Sequence, residues 1–173
     1  MFLYGFEDLL IQQDEVFNLS IYPHVTKMII SSEILYTYFI YHKGNTRTRF
    51  IPNRFDIYRT VNDRFRALKE HWQIEDERLE RYMHRRLLNT TISGFLSDLR
   101  NERCTWTTEE KENVIARIAD DNRIKESIRY LYSSISLEDR LYIKAIQRKS
   151  VTRLLRTRAF FGGLRKIKKS IRL

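Results

Sequence analysis

The stretch PNRFDIYRTVNDRFRALKEHW, residues 52–72, decides the fold. Tyr58, Val61, Phe65, Leu68 and Trp72 recur in it at steps of 3, 4, 3 and 4, with charged side chains between them. That is the period of an amphipathic helix. Pro52 suits its first turn, where a backbone N–H would have no partner. The same texture continues downstream. A second helix is predicted over Glu75–Leu99, with Leu79, Tyr82, Met83, Leu88, Ile92, Phe95, Leu96 and Leu99 facing inward. Gly94 inside it either costs about 1 kcal/mol relative to Ala or permits a close helix contact.

Thr107 and Glu110 form a capping-box pair that starts a helix through Ala119. Arg123–Ser133 follows as a short helix, with Ile124, Ile128 and Leu131 in register. Ser136 with Asp139 caps a last long helix to about Arg158, which Gly162-Gly163 should then interrupt. Upstream of Pro52 the pattern differs. Val16, Phe17, Leu19 and Ile21 fit a short buried helix over Asp14–Tyr22 that ends near Pro23. Lys27–Ile30 and the aromatic-rich run Ile34–Tyr41 read as two strands.

Composition agrees. The chain of 173 residues has 42% apolar and 13% aromatic residues, enough for one packed domain and too apolar for a disordered one. Five Gly and two Pro are about a third of the usual share. Such scarcity excludes a turn-rich sandwich or barrel and a Gly-loop nucleotide fold. The expected class is mainly α: a small α/β remnant over 1–50, a bundle of about five helices over 51–158, and a tail over 159–173.

The net charge of +10 is unevenly spread. From Arg140 to Leu173 there are twelve Lys/Arg and no Asp/Glu, so the preceding 139 residues carry a net −2. The partner of this charge therefore meets the C-terminus. Phe160, Leu164, Ile167 and Ile171 recur at steps of 4, 3 and 4, among Arg165, Lys166, Lys168, Lys169 and Arg172. A basic amphipathic helix of this kind suits an anionic membrane surface. Nucleic acid is the competing partner, through Arg148, Lys149, Arg153, Arg156 and Arg158. Docking of the aliphatic stripe on the preceding helices is the plain alternative.

One cysteine, Cys104, excludes an internal disulfide and fits a reducing compartment. No apolar run approaches the roughly 20 residues of a membrane span. The first ten residues carry Glu7 and Asp8 and lack the basic start of a signal peptide. These features lead us to expect a cytoplasmic chain, peripheral at the inner membrane face. There is no P-loop, G-x-G-x-x-G, H-E-x-x-H, paired C-x-x-C or D-x-D. A self-contained nucleotide-binding or zinc enzyme is not expected on that ground.

Three short motifs occur in order: Asp14-Glu15-Val16-Phe17-Asn18-Leu19, then Tyr36-Thr37-Tyr38, then Gly44 through Arg47, Thr48, Arg49 and Phe50 to Pro52. Over about residues 10–60 the chain resembles the second half of the catalytic domain of family-2-type, GT-A-fold glycosyltransferases. Those carry G-E-D-x-x-F-N-L at a helix start, a Y-x-Y-like strand end and a T-S-[KR]-F-x-P loop before a helical region. The resemblance implies an inverting transfer of a sugar from a nucleotide-sugar to a surface-glycan acceptor. It makes Asp14 the base that takes the acceptor proton, with Glu15 as back-up. The family's Glu before that Asp is Gln13 here.

Lys43, Arg47 and Arg49, with His42 beside them, would meet the leaving diphosphate or the acceptor. Without the resemblance, Asp14 and Glu15 read as residues favoured at a helix N-terminus and the cations as a solvated turn. The family's nucleotide-binding half, with its D-x-D metal site, is missing. The chain alone should therefore be inactive, with no metal-binding residues of its own. Mg or Mn is expected only with that half. Helices that could pair subunits are a further expected contact. The rival reading is a non-enzymatic helical module whose basic tail contacts nucleic acid.

Overall fold

The computed structural model describes residues 10–34 and 49–171, with side chains to Ile167. Among these residues there are seven α-helices and no strand. They are α1 (Gln13–Ile21), α2 (Arg54–His71), α3 (Glu77–Leu99), α4 (Thr108–Asp120), α5 (Asn122–Leu131), α6 (Leu137–Gln147) and α7 (Val151–Ile171). A short 3-10 turn, Tyr22–His24, closes α1 at Pro23. The chain is mainly α, as the spacing predicts.

Helix α3 is the centre of the bundle and packs chiefly against α5 and α2. Its C-terminal half is buried nearly all round: Leu87, Leu88, Ile92, Phe95 and Leu96 join Ile115, Ile118, Ile124, Leu131, Ile146 and Leu154 in one core. A smaller core of Val16, Leu19, Val61 and Leu68 seats α1 on α2. The helices begin on local caps. Asp76 accepts from the Arg78 N–H at 2.7 Å, and Thr107 and Glu110 form the expected reciprocal box at 3.1 and 2.6 Å. Asp121 caps α5 through the Arg123 and Ile124 N–H groups, and Ser136 caps α6 through that of Asp139.

Four expectations are corrected. The segment Lys27–Ile30 forms no strand; Ile29 and Ile30 are 85% and 89% exposed. A strand needs a neighbour for its backbone groups, and no described residue pairs with it. (Of the second candidate, Ile34–Tyr41, residues 35–41 lie outside the described residues.) The last long helix is two helices, broken at Arg148–Ser150. There Lys149 takes a left-handed φ of 51°, the Ser150 N–H reaches the Ala145 carbonyl, and the Lys149 N–H reaches that of Ile146. This is the Schellman ending usually given to Gly. Finally, Gly162-Gly163 interrupts nothing. Helix α7 runs through both. On α1, Phe17 and Ile21 are exposed rather than buried.

A polar cluster is buried between α2, α3 and α5. His84 is 1% exposed and lies under the Tyr130 ring. Its Nε2 meets Glu80 at 3.3 Å, so Nδ1 is left to accept from the Ser127 hydroxyl at 2.9 Å. Glu80 is also bound by Lys69 and Arg66. Burial, with Arg66 nearby, lowers the His84 pKa below its ordinary 6.5 and keeps the ring neutral.

Candidate functional site

Asp14 and Glu15 occupy the first turn of α1, side by side in sequence and unlike in surroundings. Glu15 is half-buried. Arg86 of α3 binds its carboxylate, and the Gln12 amide donates to it at 2.9 Å. Arg86 in turn lies over the Phe65 ring, 5.0 Å from its centre. Glu15 is thus part of the joint that fixes α1 to α2 and α3. Asp14 is exposed and has no ion pair among the described residues. Gln12 holds a left-handed φ of 59°, and its buried Oε1 has no partner there.

Both carboxylates border a cleft of about 810 Å³ between α1, α2 and α3. Asn18, Tyr22, Tyr58 and Thr90 add hydroxyl and amide groups to its wall, and Phe65 an aromatic face. Such a mixture of stacking surface and orienting polar groups is what a small polar ligand needs.

One wall rests on a buried ion pair that sequence reasoning missed. Arg54 donates from Nε to Asp98 Oδ2 at 2.7 Å and from Nη2 to Asp98 Oδ1 at 3.0 Å. Nη2 also reaches the Arg49 carbonyl at 2.8 Å, while Asp98 Oδ1 accepts the Ile51 N–H at 3.2 Å. Burial opposes the charge on Arg54, but hydrogen bonds to Asp98 and Tyr58 outweigh it and hold the guanidinium pKa above its ordinary value. Gly94 makes the approach possible, since a Cβ there would stand 2.6 Å from Arg54 Cδ and from Tyr58 Cε2. Phe50 meets Trp106 edge-on at 5.0 Å, and Ile51 is fully buried. Residues 49–54 are therefore fastened to α3 beside the cleft. A sequence signal existed: Asp98 falls three residues after Phe95, on the buried face of α3.

Of the expected phosphate contacts, Arg49 is exposed at this fastened end. His42, Lys43 and Arg47 lie outside the described residues. The expected membrane contacts Phe160, Leu164, Arg165, Lys166 and Ile167 are exposed on α7, an element apart from the cleft. Lys168, Lys169 and Ile171 continue that helix, their side chains outside the described residues with Arg172. Among the described residues no three His, Cys, Asp or Glu side chains are grouped to hold a metal. No helix among them is long and apolar enough to cross a membrane. Comparison with known proteins finds no matching family model, curated protein or solved structure.

Proposed function

We propose that this chain is the acceptor-side and C-terminal helical part of an inverting glycosyltransferase, working at the inner face of a membrane and inactive without a nucleotide-binding half. The supporting observation is the division of labour between two adjacent carboxylates. Glu15 is consumed by Arg86 and Gln12, whereas Asp14 stands exposed at the rim of a polar, aromatic-walled cleft.

In this reading the acceptor sugar lies in the cleft, where Asn18, Thr90 and Tyr58 offer partners for its hydroxyls. The attacking hydroxyl gives its proton to the Asp14 carboxylate as its oxygen bonds to the anomeric carbon. The bond from that carbon to the diphosphate breaks on the opposite side. The nucleoside diphosphate leaves with the electron pair, and Arg49, Lys43 and Arg47 meet the charge that develops.

Two measurements test this. In an enzyme that contains these residues, Asp14→Asn should reduce transfer by at least about a hundredfold, the lower range for losing a general base, with helicity unchanged. Full activity in that variant removes Asp14 as the base. Calorimetry on residues 1–173 should find no tight binding of a nucleoside-diphosphate sugar; micromolar binding would overturn the assignment to the acceptor side alone.

A further inference from the structure

Helix α7 joins the bundle by one face only. Leu154 is fully buried, and α7 packs on α6 and α4. At 3.6 residues per turn, Phe160, Leu164 and Ile167 lie about 80–140° round the helix from Leu154. They are 61%, 45% and 57% exposed. Arg153 and Arg156 precede the strip on nearly the same face, and both are exposed. No acidic residue occurs from Arg140 to the C-terminus.

The strip is also held in place. Arg165 Nη2 bonds Glu138 of α6 at 2.8 Å, and Phe161, half-buried, meets the Phe160 ring edge-on at 5.2 Å. The helix is continuous through Gly162-Gly163, so the strip does not depend on a hinge. It is a fixed edge of the bundle.

From these features we propose that α7 is a preset membrane-docking edge. Phe160, Leu164 and Ile167 insert into the interface of an anionic lipid surface, while Arg153 and Arg156 lie at headgroup level. Charge complementarity selects the partner: a narrow apolar strip inside a helix whose charged residues are all cationic matches acyl chains beneath anionic headgroups. Nucleic acid would reward the cations and leave three exposed apolar side chains unused. A second copy of the chain would set like charges against each other.

The test is co-sedimentation of the 173-residue chain with phosphatidylcholine vesicles, with and without about one-third phosphatidylserine, at physiological salt. The chain should bind the anionic vesicles and not the neutral ones. The Phe160→Asp, Ile167→Asp double variant should lose about tenfold or more in partition, with circular dichroism and melting unchanged. Arg153→Gln with Arg156→Gln should lose about fivefold for each cation removed. It alters only exposed side chains and serves as a second test should the first variant fold poorly. Vesicle binding unaffected by the Asp variants would overturn the inserted strip. Binding of duplex DNA that persists in the Asp variants, with no vesicle binding by the parent chain, would replace lipid with nucleic acid. Dimerisation abolished by those variants without vesicle binding would replace it with a second copy.

Discussion

Asp98→Ala should cost about 4 kcal/mol of stability, a large part of the 5–15 kcal/mol of an ordinary domain. Asp98 is 1% and Arg54 7% exposed, and the carboxylate makes three hydrogen bonds, two to the guanidinium and one to the Ile51 N–H. Its loss strands a buried cation, for which about 3–5 kcal/mol is usual. It also strands a buried N–H, for which about 1–3 kcal/mol is usual. The two losses overlap, because one rearrangement or one entering water relieves both, so their sum is an upper bound. Urea denaturation followed by circular dichroism measures the loss. Arg54→Met combined with Asp98→Leu should recover most of it, since an apolar pair of similar size leaves nothing unpaired. The reasoning fails if Asp98→Ala costs less than about 1 kcal/mol, as for a surface pair, or if the double variant is as unstable as the two single variants combined.

Two further perturbations probe the helix ends and the buried histidine. Gly162→Ala and Gly163→Ala should each add up to about 1 kcal/mol, because both glycines are helical and nothing lies within 4 Å of a Cβ at either; thermal melting lower than the parent's would show that the helix does break there. Lys149→Gly should add a fraction of about 1 kcal/mol by relieving the left-handed φ of 51°, and urea midpoints check it. His84 has its folded pKa lowered below 6.5, so the unfolded chain takes up the proton first. Stability should therefore be unaffected by this group above about pH 6.5 and fall as the pH drops below it through the folded value. Glu80, held low by Lys69 and Arg66 against the opposing effect of burial, adds a second loss below 4.5. His84→Gln should remove the upper step alone; an unchanged fall between pH 7 and 5.5 would assign it elsewhere.

The parts of this fold legible in the sequence are those set by neighbours along the chain. The 3/4 apolar spacing after Pro52, the Thr107–Glu110 box and the Ser136 cap act within one or two helical turns, and each appears where its residues predict it. The misplaced breaks have the same origin. Gly162-Gly163 reads as a stop, yet glycine costs a helix only about 1 kcal/mol per residue, and no capping group competes for the backbone there. Lys149 looks like an interior helical residue. It ends α6 because the Ser150 and Lys149 N–H groups reach back to Ala145 and Ile146, and because Ser150 Oγ then accepts the Arg153 N–H at the start of α7.

What the sequence conceals is the pairing of distant polar groups, and the candidate site depends on that. Arg54 and Asp98 are 44 residues apart, and Glu15 and Arg86 71 apart. Asp98 falls on the apolar face of α3, but nothing along the chain names its partner. Only Gly94, whose missing Cβ admits Arg54 and Tyr58, hinted that two helices meet there. Both pairs act on the cleft in complementary ways. Arg54–Asp98 fastens the end of the segment that carries Arg49, and Glu15–Arg86 fixes the tilt of α1, leaving Asp14 free at the rim. The proposed base, on a short nine-residue helix, would be held in position only if its neighbour is committed to the scaffold. Exchanging the two roles would bury the base in an ion pair and leave the helix without its anchor. That is why Asp14, rather than the equally acidic Glu15, is the residue on which the proposed chemistry turns.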